Sequence, residues 1–359
     1  MTTGTPRQVA QDQDFEIRRL SPEHDEARDE FVRGHERGTV FHQSHWRRTV
    51  NRVFHHAGWD FGAWRDDQLV GVLPLMRIKS LPRGENLISM PYAVYGGALG
   101  QSSQITEALL REGIAAARQL GVGRLELRSI DAAPPALGLV ESDLYATFMK
   151  QLPETVEEVL AGMPKKARAE ARKARKKHGL QLVDGRWYVE DLARLFTLNK
   201  RQLGSPSLPA DFFRTLLEEL GDRVVVHLVV HEREPLMGIM SFLDGDTLIA
   251  YYSGTAPDAD RNYSASNFAY MALQEWSVEH GFKKFDFCRS RRDSGAFSFK
   301  QHQGFEPTPL HYSYCMVKKQ GLPALTPSNP RTALLRRTWS RLPLPVVQRL
   351  SPMLARYLA

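Results

Sequence analysis

Cysteine is scarce: the 359 residues hold two, Cys288 and Cys315. That excludes a disulfide framework and points to a reducing compartment. Long apolar runs are missing as well. Stretches such as VVVHLVV fall far short of the roughly 18 residues a membrane-spanning helix needs. The N-terminal MTTGTPRQVAQDQDFE has no apolar core of a secretory signal, so a cytoplasmic protein, at most peripheral at the inner membrane, is expected. No metal-ligand or Cys/His catalytic spacing surrounds His302 or Cys288; both read as structural, and no metal is expected. Acid is absent from residues 331–359, which carry Arg331, Arg336, Arg337, Arg341, Arg349 and Arg356. These six arginines account for most of the net charge of +7, leaving a body that is close to neutral. A generally basic protein is thereby excluded, and local anionic partners are favoured.

What is present is ordinary globular composition, 42% hydrophobic and 25% charged, enough for a core and two domains. Two segments share one α/β order. FGAWRDDQLVGVLPLMRI reads as strand, turn and strand, QSSQITEALLREGIAAARQL as an amphipathic helix, and GVGRLELRSI as a strand after a glycine stop. RVVVHLVVHEREPLMGIMSFLDGDTLIAYYSG, SASNFAYMALQEWSVEHG and FKKFDFCRS repeat that order. Gly71 aligns with Gly238, Gly97 with Gly254, Gly121 with Gly281, and LELR with FDFC. An extra loop near LPRGENLISMPY accounts for the longer first half. The expected organisation is a disordered leader (1–14), a first domain (15–150), a second domain opening with a basic helix (151–318), and a basic, Pro-containing amphipathic tail (319–359).

Three stretches carry chemistry. Lys165 to His178, KKARAEARKARKKH, holds eight Lys/Arg and one Glu, with Ala167, Ala171 and Ala174 on one narrow apolar face. Like charges repel at i,i+4, so such a helix suits a phosphate-rich partner; a merely solvated helix is the alternative. RNYSASN precedes the second long helix where an acetyltransferase would place a glycine-rich pyrophosphate loop. Arg261 fits that loop, but serines replace its glycines, and a plain N-cap is the competing reading. FDFCRSRRDSGAFSFKQHQGFEP sets Asp286 in an apolar strand, Arg289, Arg291 and Arg292 in a loop, and Lys300 among aromatics. The acid is either a structural group or a base. The arginines are anion clamps. The lysine either snorkels or stabilises developing negative charge.

GMPKKARAEARKARKKHGL and YYSGTAPDADRNYSASNFAYMALQEWSVEHGFKKFDFCRSRRDSGAFSFKQHQGFEPTPLHY resemble the FemAB-like family of peptidyl and aminoacyl transferases. RSRRDSGAFSFKQHQGFEPTPLHY and the tail RLPLPVVQRLSP are most similar to the FemAB-type proteins of exosortase/PEP-CTERM systems, which accompany exopolysaccharide gene clusters. The resemblance implies two tandem acetyltransferase-like domains with mixed sheets and an active cleft near their junction. It implies transfer of an aminoacyl or acyl group to an amine, with Lys300 as charge stabiliser by the FK motif and Tyr251 or Tyr252 at the acceptor. Lys165, Lys166 and Arg168 would face phosphate. Cys288 departs from the glycine usual at its position, and His302-Gln303 from the usual pair.

The expectation is therefore an N-acyltransferase of bacterial envelope or exopolysaccharide biosynthesis. Its catalytic candidates are Lys300 and Asp286. Tyr251, Tyr252, Asn267, Arg289, Ser290, Arg291, Arg292 and Phe299 are expected at the substrate, and Lys165, Lys166, Arg168, Arg172 and Arg261 at an anion or tRNA. No cofactor is expected to stay bound; the donor is aminoacyl-tRNA or acyl-coenzyme A. The acceptor is a saccharide, lipid-linked or peptide amine. The tail either lies on an anionic membrane or packs on its own domain. The alternative is a degenerate, non-catalytic binding protein of the same fold.

Overall fold

One chain path is traversed twice in the computed structural model, which describes residues 14–80, 84–318 and 330–357. The first pass runs β1 (Glu16–Arg19), α1 (Asp25–Gly34), α2 (Ser44–Phe54), β2 (Ala57–Gly58), β3 (Phe61–Arg65), β4 (Gln68–Leu73), β5 (Met76–Ser80), β6 (Gly84–Ile88), β7 (Leu99–Gly100), α3 (Ser103–Gln119) and β8 (Arg124–Ser129). β9 (Val140–Ser142), β10 (Tyr145–Gln151), α4 (Val156–Gly162) and α5 (Lys165–His178) make the bridge. The second pass runs β11 (Gln181–Asp184), α6 (Val189–Gln202), α7 (Ala210–Leu220), β12 (Val224–His231), β13 (Glu234–Asp244), β14 (Thr247–Thr255), α8 (Ala259–Tyr263), α9 (Ala265–Glu279) and β15 (Lys284–Asp286). β16 (Ser290–Arg291), α10 (Gly295–His302), β17 (Pro307–Pro309), β18 (His311–Met316), α11 (Pro330–Arg341) and α12 (Leu344–Ala355) follow.

The repeat landmarks fall at equivalent points. β3 lies between β1 and β4, and β12 between β11 and β13. Gly121 and Gly281 stop α3 and α9 at φ +58° and +81°, a region open to glycine at little cost. The stretch around LPRGENLISMPY holds the β5–β6 hairpin, an insertion whose β6 pairs in parallel with β8.

The boundary at residue 150 divides the sequence but not the sheets. β10, at the end of the first half, pairs antiparallel with β15 of the second. β18, at the end of the second half, lies between β8 and β9 of the first. Each half therefore completes the other's sheet. Between them Phe41, Trp46 and Tyr95 pack with Phe212, Phe242 and Tyr252 in one buried cluster. Edge-on ring pairs such as Phe41–Trp46, 4.7 Å between centroids, each add roughly 1 kcal/mol to the area they bury.

Residues 1–13 of the expected leader (1–14) and residues 319–329 of the expected tail lie outside the described residues. The rest of the tail breaks into two helices at Pro343, while Pro352 is accommodated inside α12. No described helix is long and apolar enough to cross a membrane.

Candidate active site

β14 and β15 run parallel only from Thr247 to Ile249 and from Lys284 to Asp286. β15 then ends, β14 continues, and the gap between them is a cleft of about 510 Å³. A bulge in β14 shapes one wall. Met240 faces Tyr252 while Ser241 faces Ala250, so Tyr251 is the extra residue and the alternation of side chains breaks there. Both tyrosine hydroxyls consequently donate to the carbonyl oxygen of Tyr92, at 2.8 and 2.7 Å. α6 supplies the opposite wall with Phe196, Asn199 and Lys200, and Leu203 follows at its C-terminal end.

The turn that ends β15 is built by an acid and a lysine. Cys288 takes φ +58°, a left-handed conformation that costs a residue with a side chain roughly 1 kcal/mol. On one side its N–H donates to the Asp286 carboxylate at 2.7 Å. On the other, Lys300 Nζ donates to the carbonyl oxygens of Phe287, Cys288 (3.0 Å) and Arg289 (3.1 Å). All three ammonium protons are thus engaged by backbone. Burial lowers the Lys300 pKa to about 8. Asp286 is turned away from the cleft, where Tyr95 O–H donates to it at 2.9 Å and also contacts Thr147. Burial raises its pKa to about 6, against the hydrogen bonds from Cys288 and Tyr95.

Among the described residues the cleft is lined by Arg128, Lys200, Arg289 and Lys300 and by no aspartate or glutamate. Arg128 is answered by buried Glu126 at 2.9 Å, and Lys300 by its carbonyls. The other two have no carboxylate partner among the described residues. Arg289 donates to Tyr312 O–H at 2.9 Å and lies over the Tyr145 ring at 4.7 Å. Its two supports come from the exchanged strands, β18 and β10. Lys200 is half-buried over Phe196, and its pKa is lowered by burial and then by the charge of Arg289. Two neighbouring cations without an acid attract an anion strongly in a partly dry cleft.

The start of α9, where a pyrophosphate would sit, is already filled. Asp260 accepts from Ser266 N–H at 2.7 Å and from its hydroxyl at 2.9 Å. Ser264 donates to Glu170 at 2.6 Å. Arg261 pairs with Asp258 on the surface. The basic helix α5 spans Lys165–His178 and buries Ala167, Ala171 and Ala174 against α9. Arg175 pairs with Glu275 and Arg168 donates to Ala161 O. Lys165, Lys166, Arg172, Lys173, Lys176 and Lys177 stay exposed, without an ion-pair partner among the described residues.

The cleft brings together Tyr251, Tyr252, Arg289, Ser290, Phe299 and Lys300. Asp286, Asn267, Arg291 and Arg292 do not line it. Asn267 accepts from Gln303 at 2.7 Å, Arg291 pairs with Asp293, and Arg292 donates to Asp143 O at 2.8 Å. Lys200, Arg128 and Asp260 were not singled out from sequence. Lys200 had a signal: it stands four residues after Phe196, on the core-facing stripe of an amphipathic helix, where a cation is out of place.

Residues 162–301 match a family model described as an acetyltransferase (GNAT) domain. Comparison with curated protein sequences gives no match. Among solved structures, FemX aligns at a TM-score of 0.65 and 13% identity, over 83% of this chain and 96% of that one. A tandem GNAT protein from the clavulanic acid biosynthesis pathway aligns at 0.52 and 13% identity, over 86% and 100%. The C-terminal domain of a putative lysylphosphatidylglycerol synthetase from Agrobacterium fabrum aligns at 0.54 and 12%, over 81% and 91%. The fold of this chain is thus two GNAT-like domains in tandem with mixed sheets, as the sequence resemblance implies.

Proposed function

We propose that this chain is an N-acyltransferase that moves an aminoacyl group from charged tRNA to an amine, in bacterial envelope or exopolysaccharide assembly linked to an exosortase system. The observation that carries the chemistry is the acid-free cleft with Lys200 and Arg289 on its walls. The pathway rests on the sequence resemblance. The name lysylphosphatidylglycerol synthetase, borne by one structural neighbour, describes an aminoacyl group joined to a lipid.

In this reading the acceptor nitrogen attacks the ester carbonyl of the donor. A C–N bond forms, the C–O bond to the ribose breaks, and the proton lost by the amine goes to the departing ribose oxygen. Arg289 and Lys200 stabilise the negative charge of the tetrahedral intermediate or of the terminal phosphate beside it. Lys300 has no proton to spare and acts as a positioning residue, clamping the 287–289 backbone from which Arg289 projects. The exposed cations of α5 meet the tRNA backbone, so affinity falls with salt by a slope of roughly 0.7 to 0.9 per phosphate contacted. Asp260 at the start of α9 disfavours acyl-coenzyme A, whose pyrophosphate would meet a carboxylate.

A thermal-shift series tests this. Charged tRNA should raise the unfolding midpoint, an effect lost in salt and in Arg289→Ala, while acetyl-coenzyme A leaves it unchanged. A shift with acetyl-coenzyme A alone would sink the tRNA donor. The full engagement of Lys300 favours a second reading, a non-catalytic binding protein; release of labelled amino acid to any amine decides against it.

A further inference from the structure

The tail helices are fixed to the body and still leave an apolar face in water. α12 buries Val347, Ser351 and Ala355, each four residues apart, against the second half. Ser351 Oγ accepts from Ser207 N–H at 3.2 Å, Arg201 donates to Leu342 O at 2.6 Å, and Tyr92 O–H donates to Ala355 O at 3.1 Å. Gly204, at φ +71°, lets the backbone of Arg336 in α11 come so close that any side chain at 204 would strike it. The tail is therefore part of the cleft rim: Ala355 lines the cleft, as does Leu203, which is 61% exposed.

A second stripe runs beside the buried one. Val346, Leu350 and Met353 share the helical spacing but face solvent, Met353 at 64%. α11 adds Leu334 and Leu335 at 73% and 70%. Six of the eleven exposed large hydrophobics among the described residues lie in these two short helices, so the exposure is concentrated there rather than scattered over the surface. Exposed Arg337, Arg341 and Arg349 accompany it, and no acid follows Glu306 in the sequence.

We propose that α11 and α12 form a docking surface for an anionic bilayer. The leucines and Met353 enter the headgroup–acyl boundary, and the arginines pair with lipid phosphates. The charge decides between occupants. A second copy would bring the same arginines face to face, whereas a phosphate-rich leaflet matches them. Because Ala355 of α12 lines the cleft, as does Leu203 beside the Gly204 that meets α11, docking would hold the cleft mouth at the lipid surface. An acceptor amine carried on a lipid could then enter without leaving the membrane. That last step rests on the transferase reading; the docking surface does not.

The test is co-sedimentation of the full chain with vesicles of phosphatidylcholine alone or mixed with phosphatidylglycerol. Binding should be at least tenfold stronger to the mixed vesicles. Two triple variants, Leu334→Gln/Leu335→Gln/Met353→Gln and Arg337→Glu/Arg341→Glu/Arg349→Glu, should each weaken it at least tenfold with an unchanged unfolding midpoint, since all six side chains are exposed. No binding by the wild type, or binding by both variants as strong as that of the wild type, overturns the proposal. So does a stable dimer in light scattering that both variants dissociate, which would assign the patch to a second copy. None of these readouts needs a donor, so a failed transferase assay leaves them intact.

Discussion

The two halves put an acid at the same point of the repeat and give it opposite characters. Glu126 of β8 and Asp286 of β15 are both buried and both belong to the strand after the long helix. Burial pushes the Glu126 carboxyl up, but Arg128 and Arg124 outweigh it and hold it below the ordinary value. Asp286 has neutral hydrogen-bond donors, Tyr95 O–H and Cys288 N–H, and stays raised at about 6. The position two residues on is Arg128 in the first half and Cys288 in the second. Arg128 ties down the carbonyls of Met90 and Ala93. Cys288 instead turns the chain left-handed and opens the cleft. The first half has a cleft too, about 450 Å³, but Glu36 and Asp131 line it beside Arg37, which pairs with Asp131. Duplication supplied two gaps between strands. Acids line one of them, and the charged residues lining the other, among those described, are all cations.

The comparison breaks most visibly at Glu126. Glu126→Gln leaves buried Arg128 and half-buried Arg124 without this carboxylate and should lower stability by about 3–5 kcal/mol at neutral pH. Its folded pKa lies below the ordinary 4.5, so the stabilisation is present above that pH and lost as pH falls. Urea unfolding between pH 3 and 7 reads both.

Asp286 should show the reverse slope. Its folded pKa of about 6 exceeds the ordinary 3.8, so the folded state holds the proton more tightly. The stabilisation is complete below about pH 4 and disappears as pH rises through about 6, amounting to about 3 kcal/mol. Asp286→Asn should lack this slope; a variant with the wild-type slope would show that another group causes it.

Arg289→Ala should cut the rate of transfer by about 100-fold, as loss of an oxyanion donor does. Arg37→Ala in the first cleft should leave it within about twofold. Equal losses would erase the functional distinction between the clefts. The smallest effect concerns the turn: Cys288→Gly should be more stable than Cys288→Ala by about 1 kcal/mol, because only glycine is relieved at φ +58°. Midpoints of thermal unfolding suffice to compare them.

Much of this was legible beforehand because it is local. The glycine stops, LELR against FDFC, and the bounds of the basic helix follow from periodicity and turn chemistry. Arg289 was singled out by type, and the tyrosines by the family resemblance. What stayed hidden depends on distant pairing. Nothing in YATFMKQ says that it joins the sheet formed later in the chain. The role of Lys300 hinges on three carbonyls that face it only after Cys288 turns left-handed. Asp260 lies outside the helix whose start it fills, so no capping pattern around SASN reveals it.

The strand exchange has a consequence for synthesis. The first half's sheet keeps a gap between β8 and β9 until residues 311–316 have left the ribosome. Among the described residues β9 pairs with no other strand, and Tyr312, which holds Arg289, arrives with that same insertion. A nascent first half therefore waits, with strand edges exposed, for almost the whole chain to be made. At roughly 5–20 residues per second that is an interval of some ten seconds or more. Such an interval invites chaperone binding and makes the protein's yield in cells depend on the rate of translation.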